Sequence, residues 1–301
     1  ILCGTVVSAI VAGNTVVMKP AEESPTVAWQ LMQLFEDVGL PHGVVNFLTG
    51  NGEVCGARLV QHPDTRFISF TGSKAVGLWI AEQATKRTPD QRWIKRVVAE
   101  MGGKDAMVID DVKDLDDAAD ATIAAAYGFQ GQKCSACSRA IVVEAVYDKF
   151  VDKLVERAAK LQMGDPADPT TPYGPVISKD AYDKTLAYID IGAKEGKVVH
   201  GGKAPDRPGW FVEPTIVRDV APDARLAREE VFGPVLAVIK ARDWDHALEI
   251  ANDTEYGLTG GFYTDSEDRV QEGISCFHVG NLYVNRKCTG AIVDVQPFGG
   301  F

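Results

Sequence analysis

The segment with the clearest chemical potential is Gly128-Phe129-Gln130-Gly131-Gln132-Lys133-Cys134-Ser135-Ala136-Cys137-Ser138-Arg139, small and polar between an alanine-rich stretch and an apolar run. Packing gives little reason for such a composition. A thiol beside Lys133 has a reason to ionise, because a neighbouring positive charge favours the thiolate, and the thiolate is the nucleophile. The same residues also suit a small, half-buried thiol with no chemistry, and from this segment alone both readings stand. Glu100 is the second candidate. It ends the apolar run Val97-Val98-Ala99 just before Met101-Gly102-Gly103-Lys104, at the strand end where ligands of open α/β sheets bind. A carboxylate there can serve as general base for a nearby water, although a strand-end glutamate is more commonly solvated or salt-bridged.

Two glycine loops could hold a phosphate. Gly50-x-Gly52 followed by Gly56 misses the G-x-G-x-x-G spacing by one residue, so the usual dinucleotide fingerprint is absent. Phe70-Thr71-Gly72-Ser73 offers strand, glycine turn and helix start in the order that presents free N–H donors and a positive dipole end to a pyrophosphate. An ordinary turn with Ser73 as N-cap is the simpler account of the same residues. Metal chemistry has less support: Cys134-x-x-Cys137 lacks a second pair or flanking histidines, and the five histidines form no HExxH. No metal is expected.

These candidates need elements to position them. Apolar spacing predicts a helix near residues 2–11, then a β-branched strand at 15–19, a helix opened by Ser24-Pro25 and closed at Gly39, and a strand at 44–48. The second helix is expected to bury Val27, Ala28, Leu31, Leu34, Phe35 and Val38. A short helix, the strand 67–70, another helix and the strand 96–100 follow. Near-continuous apolar strands alternating with helices are what a parallel sheet covered on both faces requires, so a doubly wound unit is expected. The adjacent glycines of Met101-Gly102-Gly103-Lys104 suggest backbone freedom and a domain boundary, giving domains 1–101 and 102–301. In the second, strands are expected at 106–109, 141–143, 198–200, 235–239 and 281–285, with helices at 115–126, 146–161, 179–193 and 244–251.

Composition narrows the partners. The 301 residues are 46% hydrophobic and 24% charged, which describes a globular α/β chain and not a disordered one. With 31 basic against 42 acidic residues the net charge is −11 and no basic cluster stands out, so neither nucleic acid nor an anionic membrane is an expected partner. Residues 1–18 are uncharged until Lys19, but Gly13-Asn14 interrupts them, and they read as a buried helix and strand, not a membrane span. Six irregularly spaced cysteines make no disulfide framework, so a reducing, cytoplasmic setting is expected. The start at Ile1 and the glycine-rich end at Phe301 suggest a piece of a longer chain.

Seven short motifs occur in one order: Met18-Lys19-Pro20-Ala21-Glu22, Phe70-Thr71-Gly72-Ser73, Glu100-Met101-Gly102-Gly103-Lys104, Gly131-Gln132-Lys133-Cys134, Glu229-Glu230-Val231-Phe232-Gly233-Pro234, Gly280-Asn281 and Pro297-Phe298-Gly299-Gly300. Together they resemble the aldehyde dehydrogenase superfamily. The variants around Val98–Ala106, Ser135-Ala136 and Thr289-Gly290-Ala291 are similar to its bacterial single-function branch, which oxidises L-glutamate γ-semialdehyde, formed from 1-pyrroline-5-carboxylate, to L-glutamate in proline degradation. The resemblance implies an α/β fold with part of a Rossmann-type NAD-binding domain and most of a catalytic domain. It implies Cys134 as nucleophile and Glu100 as general base. NAD would be held by Lys19 and Glu22 at the adenosine ribose, Ser73 at the pyrophosphate, and Glu230 with Phe232 at the nicotinamide riboside. A carboxylate such as Glu22 accepts from ribose hydroxyls and repels a 2′-phosphate, so NAD is expected over NADP. Ser135, Gly290, Ala291 and Phe298 match the positions that hold the substrate's backbone and stem, while Cys137, Lys104 and Arg139 are expected to be structural, the last two in ion pairs.

The resemblance also implies an oxyanion-holding asparagine before Ile1 and a homo-oligomeric parent, so little activity is expected of these 301 residues alone. Other readings remain open at this point: an aldehyde dehydrogenase for a different ω-semialdehyde, a non-catalytic structural member of the fold, or a redox module using Cys134 and Cys137.

Overall fold

Helices and strands alternate strictly in the first of two units, Ile1–Met101, which is followed by Gly102–Phe301. The computed structural model describes residues 1–292 and 295–301. In the first unit α1 (Leu2–Val11), β1 (Val16–Met18), α2 (Pro25–Asp37), β2 (Val45–Phe47), α3 (Ala57–Gln61), β3 (Phe67–Thr71), α4 (Lys74–Thr85) and β4 (Arg96–Glu100) follow one another. Strand β1 pairs in parallel with β2, and β3 with β4, Thr71 lying opposite Glu100. The parallel pairing expected of a doubly wound unit is present, and among the described residues these four strands form two separate pairs. Both pairs line a hollow of about 1870 Å³, so Val17, Phe67 and Val98 stay 49%, 55% and 49% exposed despite their apolar character.

Two packing expectations change for the same reason. Helix α1 buries only Val6, and the α1–β1 segment is therefore largely exposed instead of buried. On α2, Ala28 is buried and Leu31 and Phe35 pack against the small core of Val6, Met18 and Val45, whereas Val27, Leu34 and Val38 face outward. A helix in contact with one strand pair has only a narrow stripe to bury. Gly39, at φ +75, ends the α2 segment in the left-handed region that glycine adopts without penalty.

The second unit contains β5 (Asp105–Ile109), α5 (Leu115–Tyr127), β6 (Cys137–Val143), α6 (Tyr147–Ala158), α7 (Lys179–Glu195), β7 (Lys197–His200), β8 (Thr215–Arg218), α8 (Arg225–Arg228), β9 (Val235–Ala241), α9 (Trp244–Asn252), β10 (Thr259–Tyr263), α10 (Glu267–Cys276) and β11 (Asn281–Val284). Its seven strands run in the order β11-β10-β5-β6-β9-β8-β7, parallel throughout except for the β7–β8 pair. Period-two alternation assigns each side chain a face. Met107 and Ile109 enter the core with Ala118 and Ile123 of α5 and Phe150 and Leu154 of α6, while Ala106 and Val108 join Ile189 of α7 and Trp244 and Leu248 of α9. Both faces of the sheet are thus covered, as near-continuous apolar strands demand. No helix among the described residues is long and apolar enough to cross a membrane.

Strand β10 escapes a propensity reading because Thr259-Gly260-Gly261 disfavours a strand. Packing explains it: a Cβ on Gly260 would lie 2.4 Å from the Phe277 ring, and one on Gly261 would lie 2.8 Å from Met107 Sδ. Bulk is excluded there on both sides of the sheet.

Candidate active site

In the second unit the chain approaches Cys134 through a strained turn. Phe129 and Gln130 hold φ of 58° and 57°, and Gly131 φ 68°, a left-handed run that costs of order 1–3 kcal/mol for each non-glycine residue. Helix α5 thereby stops at Tyr127, and residues 132–136 form a loop into β6. Cys134 lies half-buried in that loop. A Cβ on Gly131 would fall 2.4 Å from the Gly233 carbonyl oxygen, so the loop rests on the Glu229–Pro234 motif.

The glycine pair after Glu100 has a use other than the expected one. Neither Gly102 nor Gly103 adopts a positive φ, but a Cβ on Gly103 would fall 2.2 Å from the Cys134 carbonyl oxygen, and one on Gly102 would fall 2.2 Å from a Glu230 carboxylate oxygen. The glycines make room rather than bend. Glu230 Oε1 accepts from the Gly103 N–H at 3.0 Å, so the carboxylate is fixed beside the Cys134 loop. Its neighbour Glu229 is spent elsewhere, on Arg225 at 3.0 and 2.8 Å and the Tyr188 hydroxyl at 2.6 Å. These partners hold the Glu229 carboxyl below its usual range and distinguish two adjacent glutamates that sequence alone leaves equivalent. Phe232 is exposed at φ 55°.

Beside Cys134, the buried Ser135 hydroxyl meets the buried Thr289 hydroxyl at 2.9 Å, bringing the 288–291 loop to the Cys134 loop. Gly290 turns that loop at φ +99°, and Ala291 is half-buried. Phe298 is 46% exposed and is placed by Asn281, whose amide donates to the Pro297 carbonyl at 2.5 Å and accepts from the Gly299 N–H at 3.2 Å. Thr289 and Asn281 are the polar residues that sequence reasoning left without a role; the signal available was a polar side chain inside an otherwise apolar or glycine-rich stretch. Cys137 is buried at the start of β6, and its thiol contacts that of Cys288. The neighbouring thiol and burial push Cys288 well above its usual range, which favours inert thiols.

The ion-pair expectation for Lys104 and Arg139 is overturned. Arg139 gives its guanidinium to three backbone carbonyls, those of Lys104, Ile250 and Ala251, at 2.9, 3.0 and 2.9 Å. Lys104 Nζ, fully buried, has no hydrogen-bond partner among the described residues. Burial, aided by the nearby Arg139 charge, lowers Lys104 to about 7; burial raises the adjacent Asp105 to about 7 against its hydrogen bonds from Thr259. A folded-state pKa lowered below the ordinary lysine value makes the buried ammonium a cost felt fully below pH 7 and relieved as pH rises toward 10.5. Lys104→Met is therefore expected to stabilise the protein by about 1–3 kcal/mol at pH 6, with a smaller gain at pH 9. Thermal melts of both forms at the two pH values check this, and a lower melting temperature for the variant at pH 6 would overturn it.

In the first unit, Lys19 and Glu22 come together: Lys19 Nζ lies 3.2 Å from Glu22 Oε1 and donates to the carbonyls of Pro20 at 2.7 Å and Gly50 at 3.2 Å. Glu22 Oε1 also accepts from the Gly52 N–H at 2.5 Å. Its own backbone N–H, Lys19 and Gly52 hold the Glu22 carboxyl below its usual range. The 50–52 glycine turn, although it misses the dinucleotide spacing, thus lies against the two residues expected to hold a ribose. Ser73 Oγ accepts from the Val76 N–H at 3.3 Å as the cap of α4, an arrangement that keeps its own proton for an outside acceptor. Glu100, half-buried at the end of β4, accepts the Gly72 N–H at its backbone carbonyl at 3.0 Å. Glu100 belongs to the first unit and Cys134 to the second. Among the described residues no group of three or more His, Cys, Asp or Glu could hold a metal ion.

A model of the aldehyde dehydrogenase family matches residues 1–301. The chain is 54% identical over 301 residues to the 1-pyrroline-5-carboxylate dehydrogenase of Geobacillus sp. (strain WCH70) and 55% identical to that of Bacillus cytotoxicus, covering all of this chain and 58% of each relative. Among solved structures, a Thermus 1-pyrroline-5-carboxylate dehydrogenase with bound NAD superimposes with a TM-score of 0.98 at 50% identity, over 100% of this chain and 58% of that one. Betaine aldehyde dehydrogenase from Staphylococcus aureus, in complex with NAD+, gives 0.89 at 32% identity over 95% and 56%. The chain therefore spans little more than half the length of the relatives it matches.

Proposed function

The chain belongs to the aldehyde dehydrogenase family, and from that premise we propose that the protein oxidises L-glutamate γ-semialdehyde to L-glutamate with NAD. The observation that carries the reading is the convergence on Gly102-Gly103, whose backbone leaves room for the Cys134 loop on one side and for Glu230 on the other. A nucleophile and an acceptor for ribose hydroxyls are thereby built on one short segment. Support for the substrate comes from Ser135, Gly290 and Ala291, which bring a hydroxyl and a tight backbone turn beside Cys134 with little side-chain bulk, a surround suited to a carboxylate.

In this mechanism the Cys134 thiolate attacks the aldehyde carbon and forms a thiohemiacetal. The Cys134 backbone N–H steadies the oxyanion, and collapse of the tetrahedral carbon releases a hydride and leaves a thioester on Cys134. Bound NAD supplies the hydride acceptor. Glu100 then takes a proton from water, the hydroxide displaces sulfur, and L-glutamate leaves with Cys134 restored. The chain's residues fit that cofactor. Glu230 is held by Gly103, Ser73 retains a proton to donate, and Glu22 has one oxygen engaged by Gly52 and Lys19, leaving its other oxygen for ribose hydroxyls.

One steady-state panel on the intact protein tests the reading. The kcat/KM for L-glutamate γ-semialdehyde should exceed those for succinic and aminoadipic semialdehydes by tenfold or more, given about 1–3 kcal/mol for a misplaced methylene, and NAD should outperform NADP. A preference for another semialdehyde, or for NADP, would sink the corresponding half of the proposal.

A further inference from the structure

We propose that Thr289 is a positioning residue: it fixes the Ser135 hydroxyl so that its proton points to the substrate carboxylate, and it ties the Gly290-Ala291 turn to the nucleophile loop. The inference rests on the substrate reading above. Its starting point is a hydroxyl pair with limited options. Ser135 and Thr289 are 8% and 6% exposed, their oxygens are 2.9 Å apart, and neither side chain has another hydrogen bond among the described residues.

Each hydroxyl has one proton and two lone pairs. If Ser135 donated to Thr289, its proton would be consumed and it would turn lone pairs toward an incoming anion. If Thr289 donates, the Ser135 proton stays unspent, and the accepted bond polarises that hydroxyl toward stronger donation. A carboxylate accepts and cannot donate, so its arrival selects the second arrangement. Position adds to direction. Thr289 immediately precedes Gly290, at φ +99°, while Cys288 Sγ donates to the Ser135 carbonyl at 3.9 Å and contacts the Cys137 thiol. The loop meant to receive the carboxylate is thus fastened to the loop meant to carry the nucleophile within a few residues of both.

The test uses the intact protein with Thr289→Val, which keeps the shape and removes the hydroxyl, and Thr289→Ser, which restores the hydroxyl. Each is assayed with L-glutamate γ-semialdehyde and with butanal, which has no carboxylate. For Thr289→Val the KM for the semialdehyde should rise about tenfold, the upper end of what the loss of one neutral hydrogen bond costs, because the Ser135 hydroxyl is no longer held in its donating orientation. Its kcat should stay within about twofold, butanal kcat/KM should be unchanged within the same margin, and Thr289→Ser should restore the wild-type KM. Equal losses on both aldehydes would mean a merely structural residue, and an unchanged semialdehyde KM would mean no role; either overturns the inference. A wild type that treats both aldehydes alike overturns the substrate reading and this inference with it, whereas a wild-type preference that survives Thr289→Val overturns the inference alone.

Discussion

Replacing Cys134 by alanine in the intact protein is expected to lower the rate of NADH formation from aldehyde by roughly 10⁴-fold or more, the scale seen when a nucleophile that acts as part of a unit is removed. The expectation follows from the order of bond changes. Without sulfur no tetrahedral carbon forms, so hydride release has no donor and every later step is lost with it. Alanine occupies less space than cysteine in a half-buried loop, and the contacts that shape the loop, Gly103 against the Cys134 carbonyl and Gly131 against Gly233, are made by backbone. Folding and NAD affinity should therefore be preserved. Steady-state assays, with NAD titration and circular dichroism as controls, check the prediction. Residual activity within tenfold of wild type would show that Cys134 is not the nucleophile and would revive the non-catalytic reading.

Substituting glutamine for Glu100 should separate the two halves of the reaction. The amide keeps the size and most of the contacts of the half-buried side chain but cannot take a proton from water. Attack by Cys134 and hydride release should proceed, and the thioester should then persist. Rapid mixing is expected to show about one equivalent of NADH per site followed by turnover reduced about 10²- to 10⁴-fold, the usual contribution of a positioned general base. Mass spectrometry of the quenched protein should find the acyl group on Cys134. Loss of the burst together with turnover would instead place Glu100 before hydride release, and unchanged turnover would remove it from the chemistry.

Much of this molecule was legible in its sequence because the physics was local. The β-branched and apolar runs at 16–18, 45–47, 67–71 and 235–241 are strands, and Ser73 is a cap whose side chain accepts from the helix it opens. What escaped depends on partners distant in the chain. Strand β10 is written in glycines because Phe277 and Met107 crowd it. Burial of Val27 and Leu34 depended on how much surface the neighbouring strands cover. Arg139 gave no hint that it would serve three carbonyls instead of a carboxylate. At the candidate site, residue types sufficed to mark Cys134 and Glu100 as chemically able. The division of labour between Glu229 and Glu230, and the Ser135–Thr289 pair, became visible only when residues about 40 and 150 positions apart were brought together.

The two glycines at 102 and 103 also bear on how such a protein can change over generations. One faces the carboxylate of Glu230 and the other the carbonyl of Cys134, so a single methyl group at either intrudes on a different working part. Because the two positions are adjacent in the chain, a backbone shift that relieves one intrusion moves the other glycine as well, so the two demands for space are inherited together.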